Sequence, residues 1–126
     1  MLSWSIRLRA TLALVVTLAA SGSCAPAMKL SAPVATSAGV RFMLERPDAR
    51  SVALAGSFNQ WSATSHLLSR DARGVWTLMV VLPPGEHLFM YVVNGSEWIT
   101  PPLAEDYVDD GFGARNGIVV VRPADR

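Results

Sequence analysis

The chain has 126 residues, of which 51% are hydrophobic and 17% are charged, and its formal net charge is +1. This length and composition suit one domain with a single core and leave no room for two. We predict no nucleic-acid binding, because phosphate contacts need clustered lysines and arginines and the sequence contains no such cluster.

The first 23 residues have the pattern of an export signal. Two early arginines precede residues 10–20, an apolar stretch too short to span a bilayer as a permanent helix. The only cysteine, Cys24, follows small residues and resembles the lipidated cysteine of bacterial lipoproteins, and a lone cysteine forms no internal disulfide. We therefore expect an exported cell-envelope protein that is anchored in the membrane through Cys24. A plain secretory signal that is cut within residues 19–25 is the alternative.

Residues 24–38 contain small residues and two prolines without hydrophobic periodicity, which indicates a tether. The folded domain is therefore predicted over residues 39–123. Its first strand is predicted over Val40–Glu45. A second strand carries Val52 and Leu54 in alternation with smaller residues.

The longest apolar passage of the domain is predicted to form two successive hairpins. Two β-rich runs flank Pro83-Pro84-Gly85, a sequence that suits a type II turn. Asn94-Gly95 suits a tight hairpin turn, which Ser96 would lengthen. With a last strand in residues 116–123, about six or seven short strands and no helical pattern indicate an antiparallel β-sandwich.

Both faces of the predicted central hairpin are apolar, whereas a sandwich strand usually alternates apolar and polar residues. The side chains predicted to face inward are Trp76, Leu78, Val80, Phe89, Tyr91 and Val93. Those predicted to face outward are Met79, Val81, Leu88, Met90 and Val92. Such a patch often marks a contact surface, which here would bind an envelope protein or a second copy. The alternative is that a loop or the tether covers it.

Three blocks of the sequence resemble the family 48 carbohydrate-binding modules. They are VALAGSFNQWS, LPPGEHLFMYVVNGSEWITPP and DDGFGARNGIVVV, in this order. The family includes the glycogen-binding domain of the AMP-activated protein kinase beta subunit and the N-terminal domains of isoamylases and branching enzymes. The likeness spans about residues 40–121 and implies an all-β, immunoglobulin-like antiparallel β-sandwich.

The resemblance implies an α-glucan site in which sugar rings stack on two tryptophans, because an aromatic plane complements the C–H face of glucose. Trp61 and Trp98 match these tryptophans, and Asn116 matches a hydrogen-bonding asparagine. Phe112 stands where the family has a leucine that enters the glucan loop. Each residue also has a structural interpretation: Trp61 would close one end of the sandwich, Trp98 would shield its hairpin, and Asn116 would cap its own turn.

The sequence departs from the family pattern at two polar positions. Met90 replaces a lysine and Ala114 replaces a threonine, although Arg115 is an alternative donor next to it. Each lost hydrogen bond costs about 0.5–1.5 kcal/mol. We therefore predict a noncatalytic module that binds α-glucan or another polysaccharide. The alternative is a protein–protein interaction module with a degenerate sugar site.

No pattern of catalytic or metal-binding residues is found. Four acidic residues lie close together in sequence: Glu105, Asp106, Asp109 and Asp110. They belong to a predicted turn, whereas glycoside hydrolysis needs two carboxylates held across a cleft. His66 and His87 have no partners at catalytic or zinc-ligand spacing, and His87 is expected to bind its own loop. We therefore expect no enzymatic activity, no cofactor and no metal.

Overall fold

The computed structural model describes residues 32–123 as two packed antiparallel β-sheets. The strands within these residues are β1 (Val34–Thr36), β2 (Gly39–Glu45), β3 (Val52–Gly56), β4 (Ser69–Arg70), β5 (Val75–Val80), β6 (Gly85–Val93), β7 (Glu97–Ile99), β8 (Asp106–Asp109) and β9 (Arg115–Val121). Residues 32–123 contain no helix, so this range has no helix that is long and apolar enough to cross a membrane. The predicted export signal and Cys24 lie outside these residues.

The predicted antiparallel sandwich is confirmed. One sheet has the order β1-β2-β5-β4, and the second has the order β3-β6-β9-β8, with β7 also paired to β6. β1 lies inside the segment predicted as a tether, and Val34 pairs with Arg41 of β2. The first sheet therefore begins before residue 39, where the sequence predicted the domain to start.

The hairpin predicted at Pro83-Pro84-Gly85 is wrong. β5 pairs with β2 in the first sheet and β6 pairs with β3 in the second, so the chain crosses between the sheets at this point. Gly85 has a φ of 135°, far from the value of about 80° in a type II turn. The two prolines lack N–H groups and cannot donate to a strand ladder, which suits a crossover. Leu82 anchors this crossover in the core.

The hairpin predicted at Asn94-Gly95 is confirmed. Both residues have positive φ, 52° and 76°, as the twist of a tight hairpin requires. Val93 lies opposite Glu97, so Ser96 is the third loop residue, as the sequence suggested. The turn thereby fixes the register of β7 against β6.

The core lies between the two sheets and contains all six side chains predicted to face inward. Leu78 packs at its edge, and Trp76, Val80, Phe89, Tyr91 and Val93 are buried within it. Phe89 makes edge-to-face contacts with Phe42 at 5.1 Å and with Tyr91 at 5.7 Å. These rings fill the space between the sheets.

The five side chains predicted to form one apolar outer face do not form a single surface. Met79 lies in β5 of the first sheet, Val81 directly follows this strand, and both side chains are exposed. Leu88, Met90 and Val92 lie on the second sheet, where Met90 is only 6% exposed and Val92 is fully buried. Trp61 and Ala63 pack against Val92, Ala53 and Ala55. The prediction of one continuous contact face is therefore wrong, and a loop covers part of it.

We expect the stability of the sandwich to fall at alkaline pH because of Tyr91. Its buried hydroxyl donates to the Met43 carbonyl of the other sheet at 3.0 Å, and burial raises the pKa of this phenol well above its usual range. In the unfolded chain this phenol ionises at about pH 10, whereas in the folded chain it stays protonated. The free energy of unfolding therefore falls as the pH rises above that value. Tyr91→Phe should lower this energy by about 0.5–1.5 kcal/mol at neutral pH and make its alkaline decline shallower. Urea unfolding at several pH values measures both, and an unchanged alkaline slope would contradict the assignment.

Candidate functional site

The loop after β3, residues 57–64, folds back over the outer face of the second sheet. Phe58 turns its ring to the core, where it lies 6.2 Å from Phe42 and 5.7 Å from His66. Ser57 donates its backbone N–H to the Leu88 carbonyl of β6 at 2.9 Å. The loop is therefore attached both to the core and to the neighbouring strand.

Asn59 holds the two ends of this loop together. Its side chain is only 6% exposed, and its Oδ1 accepts the Gly56 N–H at 2.9 Å. Its Nδ2 donates to the Leu54 carbonyl at 2.9 Å and lies 3.0 Å from His66 Nδ1. An amide provides both an acceptor and two donors, so one side chain satisfies backbone groups that would otherwise be buried without partners.

The loop presents Trp61 on the outer face of the second sheet. Gln60 and Trp61 have φ values of 52° and 57°, which are uncommon for residues other than glycine. The Trp61 N–H donates to the Gly56 carbonyl at 3.0 Å, which closes this turn. The indole is partly buried against Ala53, Ala55 and Val92. Trp61 therefore lies outside the sandwich, and does not close an end of its core.

Trp98 lies on the same face as Trp61. It is the middle residue of β7 and lies directly opposite Val92, and opposed residues of an antiparallel pair share a face. Its side chain is 45% exposed. Both indoles therefore reach solvent on one side of the second sheet.

Asn116 lies on β9 opposite Val108, also on this outer face. It is only 9% exposed, and within residues 32–123 its side chain makes no hydrogen bond. None of the buried side-chain polar atoms in that range lacks a partner, so the Asn116 amide must reach solvent. The turn cap considered from the sequence is therefore not formed, and the amide is available to a ligand.

The turn before β9 carries Phe112 at its tip. Asp110 Oδ1 accepts the N–H groups of Phe112 at 2.7 Å and Ala114 at 3.1 Å. Gly111 and Gly113 supply the positive φ values that this turn needs, 83° and 91°. The Phe112 ring is 94% exposed. Asp110 thus stabilises this turn. Asp106 and Asp109, which were predicted to lie in a turn with it, instead begin and end strand β8.

Five segments of the chain meet in one open groove of about 410 Å³. Its lining residues are Trp61, Met90, Trp98, Asp110, Phe112 and Asn116. The structure thus brings together four of the five predicted carbohydrate-binding residues. Asp110 is an addition, because the sequence placed it only in a turn and not in the site.

Arg115, the fifth predicted residue, lies away from the groove. Its guanidinium lies 4.8 Å from the centre of the Tyr107 ring. Arg115 and Asn116 are consecutive on β9, and consecutive strand residues point to opposite faces of a sheet. Ala114 is not among the lining residues, so the groove has no substitute for the threonine of the family pattern.

The groove combines aromatic rings and a thioether with two polar side chains. Such a surface fits a ring that has an apolar C–H face and polar edges. Both histidines have structural roles: His87 Nε2 donates to the Pro83 carbonyl at 2.8 Å, as predicted, and His66 accepts from Asn59. In the described part of the chain, no group of three His, Cys, Asp or Glu residues could hold a metal.

Comparison with known proteins connects this sandwich to enzymes of glucan metabolism. A 1,4-alpha-glucan branching enzyme GlgB of Nitrosospira multiformis is 35% identical over 85 residues, which are 62% of this chain and 11% of the enzyme. The GlgB enzymes of Pseudomonas syringae pv. syringae and Bacillus caldolyticus are each 42% identical over 65 and 64 residues, half of this chain and 9% of each enzyme.

The chain thus spans only about a tenth of the length of these enzymes. A family model described as the glycogen recognition site of AMP-activated protein kinase matches residues 40–126. This match covers every strand except β1 and the first residue of β2, and it confirms the resemblance found in the sequence. The chain belongs to this family.

Proposed function

We propose that the sandwich is a noncatalytic module that binds α-glucan in the groove between Trp61 and Trp98. The observation that carries this proposal is the presentation of both indoles to solvent on one face of the second sheet. Two separated aromatic planes contact more than one sugar, so they favour a chain over a monosaccharide. The Asn116 amide, which has no protein partner among the described residues, supplies hydrogen bonds to sugar hydroxyls.

The comparisons support a polysaccharide ligand. The family description names glycogen, and the relatives are named as enzymes that branch 1,4-alpha-glucan. Because the matched region is a small part of each enzyme, the likeness supports binding and carries no argument for catalysis. Of the four acidic residues close together in sequence, Glu105 accepts the Val120 N–H and pairs with Arg122, and Asp110 accepts two N–H groups of its own turn.

The proposal includes export, with the signal predicted over residues 1–23 and a lipid on Cys24. The ligand would then be a polysaccharide of the envelope or its surroundings, because cytoplasmic glycogen is not accessible to an exported protein. Metabolic labelling with a fatty acid tests this part. Wild-type protein should be labelled and Cys24→Ser should not, and labelling of neither would remove the lipid anchor from the proposal.

Alanine at Trp61 or Trp98 should lower the affinity for amylose by about ten-fold. Each variant loses one stacking plane, and such a contact contributes about 0.5–1.5 kcal/mol beyond the area that it buries. Retardation in native gels cast with increasing amylose measures the affinity. Val81→Ala is the matched control, since Val81 is 82% exposed at the end of the other sheet.

Trp98→Ala is the more selective of the two variants because its ring is nearly half exposed, whereas Trp61 covers Val92. Both variants are therefore compared with the wild type by thermal unfolding. Retardation equal to wild type in both folded variants would exclude the groove as the glucan site. Wild-type protein that is not retarded at all would exclude the α-glucan proposal itself.

A further inference from the structure

We propose that the groove prefers a saccharide that carries a positively charged amine to the neutral saccharide of the same backbone. This inference rests on the proposed function and adds the charge of the ligand to it. The lining contains three aromatic rings, one carboxylate, one amide and one thioether, and none of these side chains is cationic. The only formal charge in the lining is therefore negative.

The carboxylate of Asp110 is fixed and has an unused oxygen. Its Oδ1 accepts two backbone N–H groups, from Phe112 and Ala114, which hold the side chain in one orientation. Its Oδ2 makes no hydrogen bond, and the group makes no ion pair, within residues 32–123. A fixed carboxylate with a free oxygen loses little side-chain entropy when it pairs with an ammonium group.

Neighbouring charges do not neutralise this carboxylate. Arg115, the nearest cation in sequence, stacks on Tyr107 on the opposite face of β9. Arg46 pairs with Glu97 at 3.2 Å, and Glu97 precedes Trp98 and therefore points away from the groove. Met90, which lines the groove on β6, carries no charge that could pair with Asp110. Asp110 therefore carries the only formal charge in the lining of the groove.

The aromatic rings of the lining also favour a positively charged ligand. A cation within about 6 Å of a ring centre is attracted by the ring quadrupole, and indoles are the strongest partners. Trp61, Trp98 and Phe112 all border the groove. Asn116, nine-tenths buried and without a protein partner in the described range, adds a carbonyl oxygen that an ammonium or hydroxyl group can use. An amine-bearing sugar would satisfy all three kinds of group together.

The test uses the full chain and three cyclic maltooligosaccharides: the unmodified ring, a singly aminated ring and a singly carboxylated ring. Affinities are measured by calorimetry at a mildly acidic pH, where the amine is protonated. The aminated ring should bind about three- to ten-fold more tightly than the unmodified ring, and the carboxylated ring less tightly. The preference should shrink at high salt, because exposed charges are screened.

Asp110→Asn isolates the charge. The asparagine oxygen can still accept the two backbone N–H groups, so the turn is kept while the negative charge is removed. The readout is the ratio of the affinities for the aminated and unmodified rings, which should fall to near one in this variant whatever its affinity for the unmodified ring. Asp109→Asn is the matched control, because Asp109 lies opposite Arg115 in the strand register, on the other face of the sheet, and its replacement should leave the affinity ratio unchanged.

The outcomes separate this inference from the proposed function. If wild-type protein binds the unmodified and aminated rings equally, the charge preference is wrong and the glucan site stands. If Asp110→Asn keeps the full preference, Asp110 is not its source and the inference fails. If none of the three rings binds, both proposals fail.

Discussion

Asn59→Ala is expected to lower the free energy of unfolding by about 2–4 kcal/mol and to weaken glucan binding at the same time. The substitution leaves the Gly56 N–H and the Leu54 carbonyl without their side-chain partner in a buried environment, and each unsatisfied group costs about 1–3 kcal/mol. It also removes the link to His66, so the end of the loop is released. Chemical unfolding in urea measures the first effect.

The loss of binding follows from the strained conformation of Trp61. Two consecutive residues with left-handed φ, Gln60 and Trp61, persist only where their surroundings hold them. Without Asn59 the turn relaxes and the indole no longer has one fixed position over the sheet. The affinity for amylose should therefore fall to about the level of Trp61→Ala, as native gels with amylose would measure.

Gln60→Ala is the control in the same loop. Gln60 is exposed, and alanine adopts its φ with a similar penalty, so stability should change by less than about 0.5 kcal/mol. If Asn59→Ala unfolds at the same urea concentration as Gln60→Ala, then Phe58 and the Ser57–Leu88 hydrogen bond anchor the loop without Asn59.

The contrast between two turns shows what the sequence could predict about the fold. Asn94-Gly95 specifies a local backbone conformation, and this conformation is enough to pair the strands that flank it. Pro83-Pro84-Gly85 specifies only that the chain turns. Which sheet the next strand joins depends on contacts distant in sequence, such as Leu54 with Tyr91, and no local signal contains them.

The same distinction applies to the groove. The resemblance identified Trp61 and Trp98, but only the register of β7 and the path of the β3 loop show that both lie on one face. Asn59 stood in the recognised block, yet its partners Leu54 and His66 are brought together only by the folded loop. Successive residues of a strand point to opposite faces, so the sequence alone could have shown that Arg115 and Asn116 do not belong to one site.

Gly56→Ala is expected to destabilise the sandwich by about 3 kcal/mol, because the space for a side chain is missing. The added Cβ would overlap the Leu88 carbonyl oxygen and lie 2.5 Å from a ring carbon of Phe58. Neither can move freely: the carbonyl accepts the Ser57 N–H, and the ring is packed in the core. The φ of Gly56 is not positive, so this cost is steric and owes nothing to backbone preference.

Gly95→Ala separates these two kinds of cost. Gly95 has a φ of 76°, and no atom lies within 4 Å of the position that a Cβ would take, so alanine there meets only the left-handed penalty, about 1–2 kcal/mol. Urea unfolding of both variants should therefore show the larger loss for Gly56→Ala. Equal losses would mean that β3 shifts away from β6 at little cost. The close approach of the Leu88 carbonyl and the Phe58 ring would then not be what requires a glycine at position 56.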